Sequence, residues 1–152
     1  MKTKSILHLV TFVLTFAVSV TVAGAFKSLQ GASTAEKITQ VLTEDIANGT
    51  TRRKKCRNTN IYLAVRTNDY VSASEKLDTT GLPNDFRAAW QNHMRAWRNH
   101  SDYLNENKYS SGFDADYDEV SARQISEINR TWWEVLRIAK TNGATIPAGA
   151  YY

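Results

Sequence analysis

The sequence predicts an all-α protein, an up-and-down four-helix bundle that follows an N-terminal signal peptide. Three observations lead to this prediction: an uncharged apolar segment near the start of the chain, four glycines at nearly equal intervals, and helical periodicity between them. The 152 residues are enough for one ordinary core. Hydrophobic residues make up 42% of the chain and charged residues 22%, which excludes a disordered tail.

Residues 1–25 contain the three parts of a secretory signal peptide. Lys2 and Lys4 form a basic start, a long uncharged apolar stretch follows, and the segment ends in Ala-Gly-Ala. We expect cleavage after Ala25, because signal peptidase requires small side chains just before the cut. Residues 26–152 then form a single helical domain that is periplasmic or secreted.

An uncleaved transmembrane anchor at residues 6–26 is the alternative interpretation of the same segment. Its 21 residues are long enough to cross a bilayer as a helix. Both interpretations place the rest of the chain outside the cytoplasm. Cleavage leaves 17 basic and 15 acidic residues, so the exported part is only slightly basic. Cys56 is the only cysteine, so the chain has no internal disulfide framework.

Glycines divide the exported part into four segments. They recur at intervals of 32, 31 and 31 residues and follow polar residues, at Gly49, Gly81, Gly112 and Gly143. Glycine is common just past the end of a helix, where the backbone turns left-handed. The predicted helices run over about residues 33–46, 60–77, 83–105 and 116–142. The second segment begins with Ile61–Val65, which also fits a short strand, but no partner strand exists, so a helix is predicted.

The third segment carries a repeat of seven residues, Ala-Trp-Gln-Asn-His followed by Ala-Trp-Arg-Asn-His. It places large side chains on one face of a helix, at Phe86, Trp90, His93, Trp97, His100 and Leu104. The fourth segment has a matching stripe at Ser121, Ile125, Ile128, Trp132, Val135 and Ala139. We therefore expect the third and fourth helices to pack together.

The third helix supplies the candidate binding residues, Trp90, His93, Trp97 and His100. An aromatic stripe at helical spacing is typical of a core, so we interpret the two histidines first as core residues. They cannot share one metal ion, because seven residues rise about 10 Å along a helix. We predict no metal site and no cofactor. Half-buried histidines resist protonation, so we expect the bundle to loosen below about pH 6.

A basic patch precedes the second segment and consists of Arg52, Arg53, Lys54, Lys55 and Arg57. We interpret it first as a solvated turn between two helices. The alternative is a surface for anionic lipid headgroups, nucleic acid or acidic glycans. Nucleic acid is not the expected partner, because no aromatic residues alternate with the charges to stack on bases.

No catalytic motif is present, and we predict no catalytic residue. The first functional hypothesis is a non-enzymatic exported protein of the cell envelope or extracellular space that binds an unknown protein or small molecule. The second is a metal- or haem-binding bundle that uses His93 or His100. The third is a membrane-anchored envelope protein. Membrane contact is expected only through the N-terminal segment or the basic patch.

Overall fold

The computed structural model describes residues 32–55, 59–115 and 117–151, and for residues 53–55 it describes the backbone alone. The predicted signal peptide at 1–25 and the alternative anchor at 6–26 lie outside this part of the chain, as do Cys56 and Arg57. Within it, no helix combines the length and the apolar character that a membrane crossing requires.

Four helices make up the structure, and the described residues contain no strand. They are α1 (Thr34–Lys55), α2 (Asn60–Ser74), α3 (Asn84–Asn107) and α4 (Glu119–Thr141). The all-helical prediction is confirmed, and the segment at residues 61–65 is helix, not strand. Consecutive helices pack against each other, most extensively α3 against α4, and α1 also contacts α4. This packing is consistent with a four-helix bundle.

The predicted end of the first helix at Gly49 is wrong, because α1 continues through this glycine to Lys55. The hydroxyl groups of Thr50 and Thr51 donate to carbonyls one turn earlier, at 2.8 and 3.1 Å, and the helix hydrogen bonding is unbroken. Positive charge is favourable in the last turn of a helix. Residues 52–55 form that last turn, so for these four residues the prediction of a turn between helices is also wrong, and Arg57 lies outside the described residues.

The other three predicted glycine turns are confirmed. Gly81, Gly112 and Gly143 have φ angles of 75°, 79° and 78°, a conformation that residues with a side chain rarely adopt. The fourth helix begins slightly later than predicted, because the Asp118 carboxylate accepts a hydrogen bond from the Ser121 amide at 2.8 Å and caps it.

The predicted stripe of α3 faces the interior. Phe86 and Leu104 are fully buried, Trp90, His93 and His100 are nearly so, and Trp97 is partly buried. The stripe of α4 is buried at four of its six positions, and Trp132 is partly buried. Ile125 departs from the prediction and is 37% exposed. The preceding residue, Gln124, faces α3 instead and bonds to His100.

A C-terminal segment, residues 142–151, lies against both α1 and α4, which contact each other less than any pair of consecutive helices does. The Thr145 amide donates to the Thr39 hydroxyl at 3.0 Å, and the Trp132 indole N–H donates to the Ala150 carbonyl at 2.8 Å. Ala144 and Ala150 are buried in the main core. The segment thus completes the hydrophobic core between α1 and α4.

Candidate functional site

A cavity of about 240 Å³ lies among the four helices, and each helix contributes to its wall. The lining residues are Asp45, Ile46, Gly49, Arg52, Tyr70, His93, Trp97, Ile128, Asn129 and Trp132. A pocket that mixes apolar surface with a few polar groups is the usual form of a small-molecule site. The cavity is therefore the candidate functional site.

Helical spacing explains how α1 lines this cavity. Asp45, Gly49 and Arg52 are four and three residues apart, so they share one face. Gly49 keeps the space open: a Cβ atom there would lie 3.8 Å from the Tyr70 ring, and any longer side chain would extend into the gap. The pairs His93–Trp97 and Ile128–Trp132 follow the same four-residue spacing on α3 and α4.

Asp45 is the buried acid of the wall, with 5% of its surface exposed. Its carboxylate accepts hydrogen bonds from the Tyr70 hydroxyl at 2.9 Å and from the Ser74 hydroxyl. Burial raises the pKa of Asp45 to about 6, against the effect of these hydrogen bonds. None of the ion pairs found among the described residues includes Asp45. The two described hydrogen-bond donors to the carboxylate are thus both uncharged.

His93 contributes an imidazole that stays neutral. Its Nδ1 lies 3.0 Å from the Thr131 hydroxyl oxygen. That hydroxyl uses its single proton toward the carbonyls of Glu127 and Ile128, at 3.0 and 2.9 Å. The Nδ1 therefore carries the proton and donates, and the Nε2 keeps its lone pair as an acceptor. Burial lowers the pKa of His93 to about 3, so the ring is uncharged at neutral pH.

Aromatic rings form much of the remaining wall. Tyr70 and Trp97 meet edge to face with centroids 4.8 Å apart, and the His93 ring lies 5.0 Å from that of Trp132. Burial and the neighbouring Asp45 raise the pKa of Tyr70, so its hydroxyl remains protonated. Hydrogen bonding to Ala150 holds the Trp132 indole in place. The wall therefore offers π surface close to the buried acid.

Among the described lining residues Arg52 is the one cation, and it is half-buried. Its guanidinium carbon lies 5.2 Å from the centroid of the Trp97 ring, and its Nε donates to the Thr67 hydroxyl at 3.4 Å. The first residue of the predicted basic patch thus lines the cavity. The side chains of Arg53, Lys54 and Lys55, and the whole of Arg57, lie outside the part of the chain that the structure describes.

The structure separates the four candidates that the sequence placed on α3. His93 and Trp97 line the cavity. Trp90 packs in the main core, where its ring is nearly parallel to that of Phe86 and the two ring centroids are 6.5 Å apart. The Nδ1 of His100 lies 3.1 Å from the Gln124 side-chain oxygen, and burial lowers the pKa of this histidine.

Sequence reasoning missed three important wall residues, Asp45, Tyr70 and Trp132, as site residues. A signal for Asp45 was present, since it follows Leu42 by three positions on the predicted apolar face of α1. A charged residue at a core-facing position is rare in a globular protein unless it is paired or functional. Tyr70 and Trp132 carry no comparable signal, because aromatic residues on such faces are ordinary core residues.

A second hollow, of about 410 Å³, lies between α3 and the segment that follows α2. Trp90 and Met94 lie at its wall, and the ion pair of Arg98 with Glu75 stands at its edge. This hollow has no buried charge to select a ligand. For metals, no group of three or more His, Cys, Asp or Glu side chains in the described ranges is arranged to hold an ion.

Comparisons with protein-family models, with curated protein sequences and with solved structures find no match.

Proposed function

We propose that this chain is an exported protein, folded as an up-and-down four-helix bundle, that binds a small organic molecule in its central cavity. One observation carries the proposal: a cavity reached by all four helices contains a buried carboxylate and aromatic rings. A protein interior normally fills such space, and it normally pairs such a charge. A cavity with both features is better explained by a ligand than by packing.

The size of the cavity limits the ligand. At the packing density of protein interiors, about 0.74, 240 Å³ accommodates about ten to twelve non-hydrogen atoms. A single aromatic ring with a short polar chain has this size. A haem is several times larger, so the haem alternative at His93 would require the helices to separate. The metal alternative at His93 or His100 stays a prediction that no observed geometry favours.

Binding is proposed instead of catalysis because of the acid–base character of the wall. A general base works best with a pKa near the operating pH, and the pKa of His93 lies far below it. Asp45 has a suitable pKa, but of the two hydroxyls that it accepts from, that of Ser74 is fully buried and that of Tyr70 has a raised pKa, so neither is an activated nucleophile. One titrating group surrounded by aromatic rings fits recognition better than a reaction.

The predicted signal peptide at residues 1–25 supports export, and cleavage after Ala25 is part of the proposal. The uncleaved anchor at residues 6–26 is the competing possibility, in which the same cavity would serve an envelope-bound protein. The intact mass of the protein recovered after expression of the full chain distinguishes the two. A mass that corresponds to a chain beginning at Phe26 supports secretion. A mass that includes residues 1–25 supports the anchor.

A pair of substitutions at Gly49 tests the proposed cavity function. Gly49→Ala adds only a Cβ atom in ordinary contact with Tyr70, whereas Gly49→Leu extends into the cavity. The probes are 2-phenylethylamine, 2-phenylethanol and phenylacetate, which share a ring and differ in charge. Binding is followed by NMR titration of the tryptophan indole N–H signals.

We expect at least one probe to shift the signals of Trp97 and Trp132. Gly49→Ala should retain this binding and Gly49→Leu should abolish it, with both variants folded by circular dichroism. Binding that Gly49→Leu leaves unchanged, or the failure of all three probes to bind, would contradict the proposed function.

A further inference from the structure

We infer that the ligand is an organic cation, a protonated amine attached to a small aromatic or apolar body, and that its charged nitrogen meets Asp45. This inference rests on the proposed function and specifies the chemistry of the molecule that the cavity takes. It is carried by the position of one carboxylate and by the character of the groups around it.

The described hydrogen-bond donors to Asp45 are uncharged. Its partners are two hydroxyl groups, those of Tyr70 and Ser74, and Ser74 in turn accepts from the Asn48 amide at 3.3 Å. Hydroxyl donors satisfy part of the hydrogen-bonding capacity of a carboxylate, but they bring no positive charge. A buried charge without a counter-ion is costly. A cation in the cavity would remove that cost, which gives the site a preference for positive ligands.

Among the described residues, no cation forms an ion pair with Asp45. Arg52 lines the same cavity, but its guanidinium lies over the Trp97 ring and its Nε bonds to Thr67. The ion pairs found in the described part of the chain join residues other than Asp45, such as Arg98 with Glu75. The negative charge of Asp45 therefore remains available to a ligand.

The aromatic rings of the cavity wall also favour a positive charge. The faces of tryptophan and tyrosine are electronegative and attract cations. Trp97 already shows this attraction by holding Arg52. His93 adds a neutral imidazole to the same wall, and an ammonium group has several N–H donors to share between neighbouring acceptors. An anionic group at the same position would instead bring a second negative charge close to Asp45.

The groups that face Asp45 determine how binding depends on pH. Arg52 on α1 stays charged, and Tyr70 on α2 and His93 on α3 stay neutral between pH 5 and 8. The lining residues on α4 are Ile128, Asn129 and Trp132, which do not titrate. Asp45 is thus the one group of the described wall whose charge changes in this range. Amine binding should weaken as the pH falls through about 6.

The test compares the three phenyl probes by NMR titration at pH 7.5 on the protein expressed from the full chain. The variants are Asp45→Asn, which removes the buried charge with little change of shape, and Glu44→Gln, which removes the same charge from the exposed neighbouring residue of α1. We expect 2-phenylethylamine to bind about tenfold more tightly than 2-phenylethanol, the usual effect of a charged hydrogen bond.

This preference should survive in Glu44→Gln and fall to within about twofold in Asp45→Asn, since the latter lacks the charge. The alcohol should bind equally to all three proteins. If 2-phenylethanol or phenylacetate binds wild-type protein as tightly as the amine, the inference is overturned and the proposed function stands. If no probe reaches the cavity, the proposed function fails and the inference fails with it.

A second measurement needs no variant. The affinity of wild-type protein for 2-phenylethylamine should drop between pH 7.5 and pH 5, whereas that for 2-phenylethanol should stay constant. An amine affinity that is flat over this range would overturn the inference.

Discussion

The two halves of α1 bury their inner faces in different ways. In the first half, Ile38 and Leu42 are fully buried in the main apolar core, together with Phe86. In the second half, Asp45 is also buried, but Gly49 has no side chain and a cavity remains beside it. The first half contributes stability through close packing, and the second gives some of it up. The comparison locates the proposed function where packing is incomplete.

The largest effect is expected in the main core, to which the first half of α1 and Phe86 of α3 both contribute. Phe86→Ala should lower the free energy of unfolding by about 3–5 kcal/mol, because it removes a fully buried ring and leaves a void. Tyr109→Ala, at a position that is 76% exposed, is the control and should change it by less than about 0.5 kcal/mol. Urea denaturation measures both. A loss below about 1 kcal/mol for Phe86→Ala would mean that the two halves do not differ as described.

A gain in stability, and not a loss, is expected for a substitution in the second half of α1. Asp45→Asn should raise the free energy of unfolding at pH 7.5 by about 1–3 kcal/mol, since a pKa raised from 3.8 to about 6 means that ionised Asp45 is destabilising. Glu44→Gln, at the exposed neighbour, is the control and should have little effect. Denaturation of Asp45→Asn without ligand measures the gain, and a loss of stability would show that the carboxylate is a structural necessity.

The pH dependence of stability sharpens the comparison further. The lowered pKa of His93 removes stability as the pH falls below 6.5, where the unfolded histidine gains a proton. The raised pKa of Asp45 adds stability from about pH 6 down to 3.8, where the folded carboxylate gains one first. From these two groups, wild-type protein should lose only about 1 kcal/mol between pH 7 and pH 4, and Asp45→Asn about 3 kcal/mol.

This balance modifies the expectation that the bundle loosens below about pH 6. In wild-type protein the buried Asp45 carboxylate opposes the effect of His93, so the loosening should be larger when Asp45 is replaced. Urea denaturation of both proteins at half-unit steps of pH tests this, and parallel curves would rule out the opposition.

The smallest effect concerns the glycine that keeps the cavity open. Gly49→Ala should stabilise the protein by about 0.5–1 kcal/mol, because alanine is favoured over glycine inside a helix and its Cβ makes only ordinary contacts. Gly81→Ala serves as the matched substitution, and it should destabilise, since Gly81 has a φ of 75°. Thermal unfolding measures both, and equal signs for the two would contradict the helical position of Gly49.

The sequence predicted those parts of the fold that short-range patterns determine. The seven-residue repeat of α3 predicted its buried face, and the glycines at 81, 112 and 143 predicted three turns, because a positive φ needs a residue without a side chain. The same rule failed at Gly49, since a helix can absorb one glycine when its neighbours keep their hydrogen bonds. Ile125 was misplaced because the stripe of α4 is rotated toward Gln124.

The cavity was beyond prediction from local pattern. Periodicity indicates which residues face inward, but not whether the space that they face is filled. That depends on side chains from four helices meeting, and Asp45 and Tyr70 are 25 residues apart in the chain. The C-terminal segment was missed for a similar reason: it has no period, and its contacts, such as that of Thr145 with Thr39, span 106 residues.

The hydrogen bond from the Trp132 indole to Ala150 has a practical consequence. It joins a ring of the cavity wall to residues 142–151, so movement of this segment away from the helices would also free the Trp132 ring. Fluorescence of Trp132, with the other three tryptophans replaced, would report when the segment comes away from the helices.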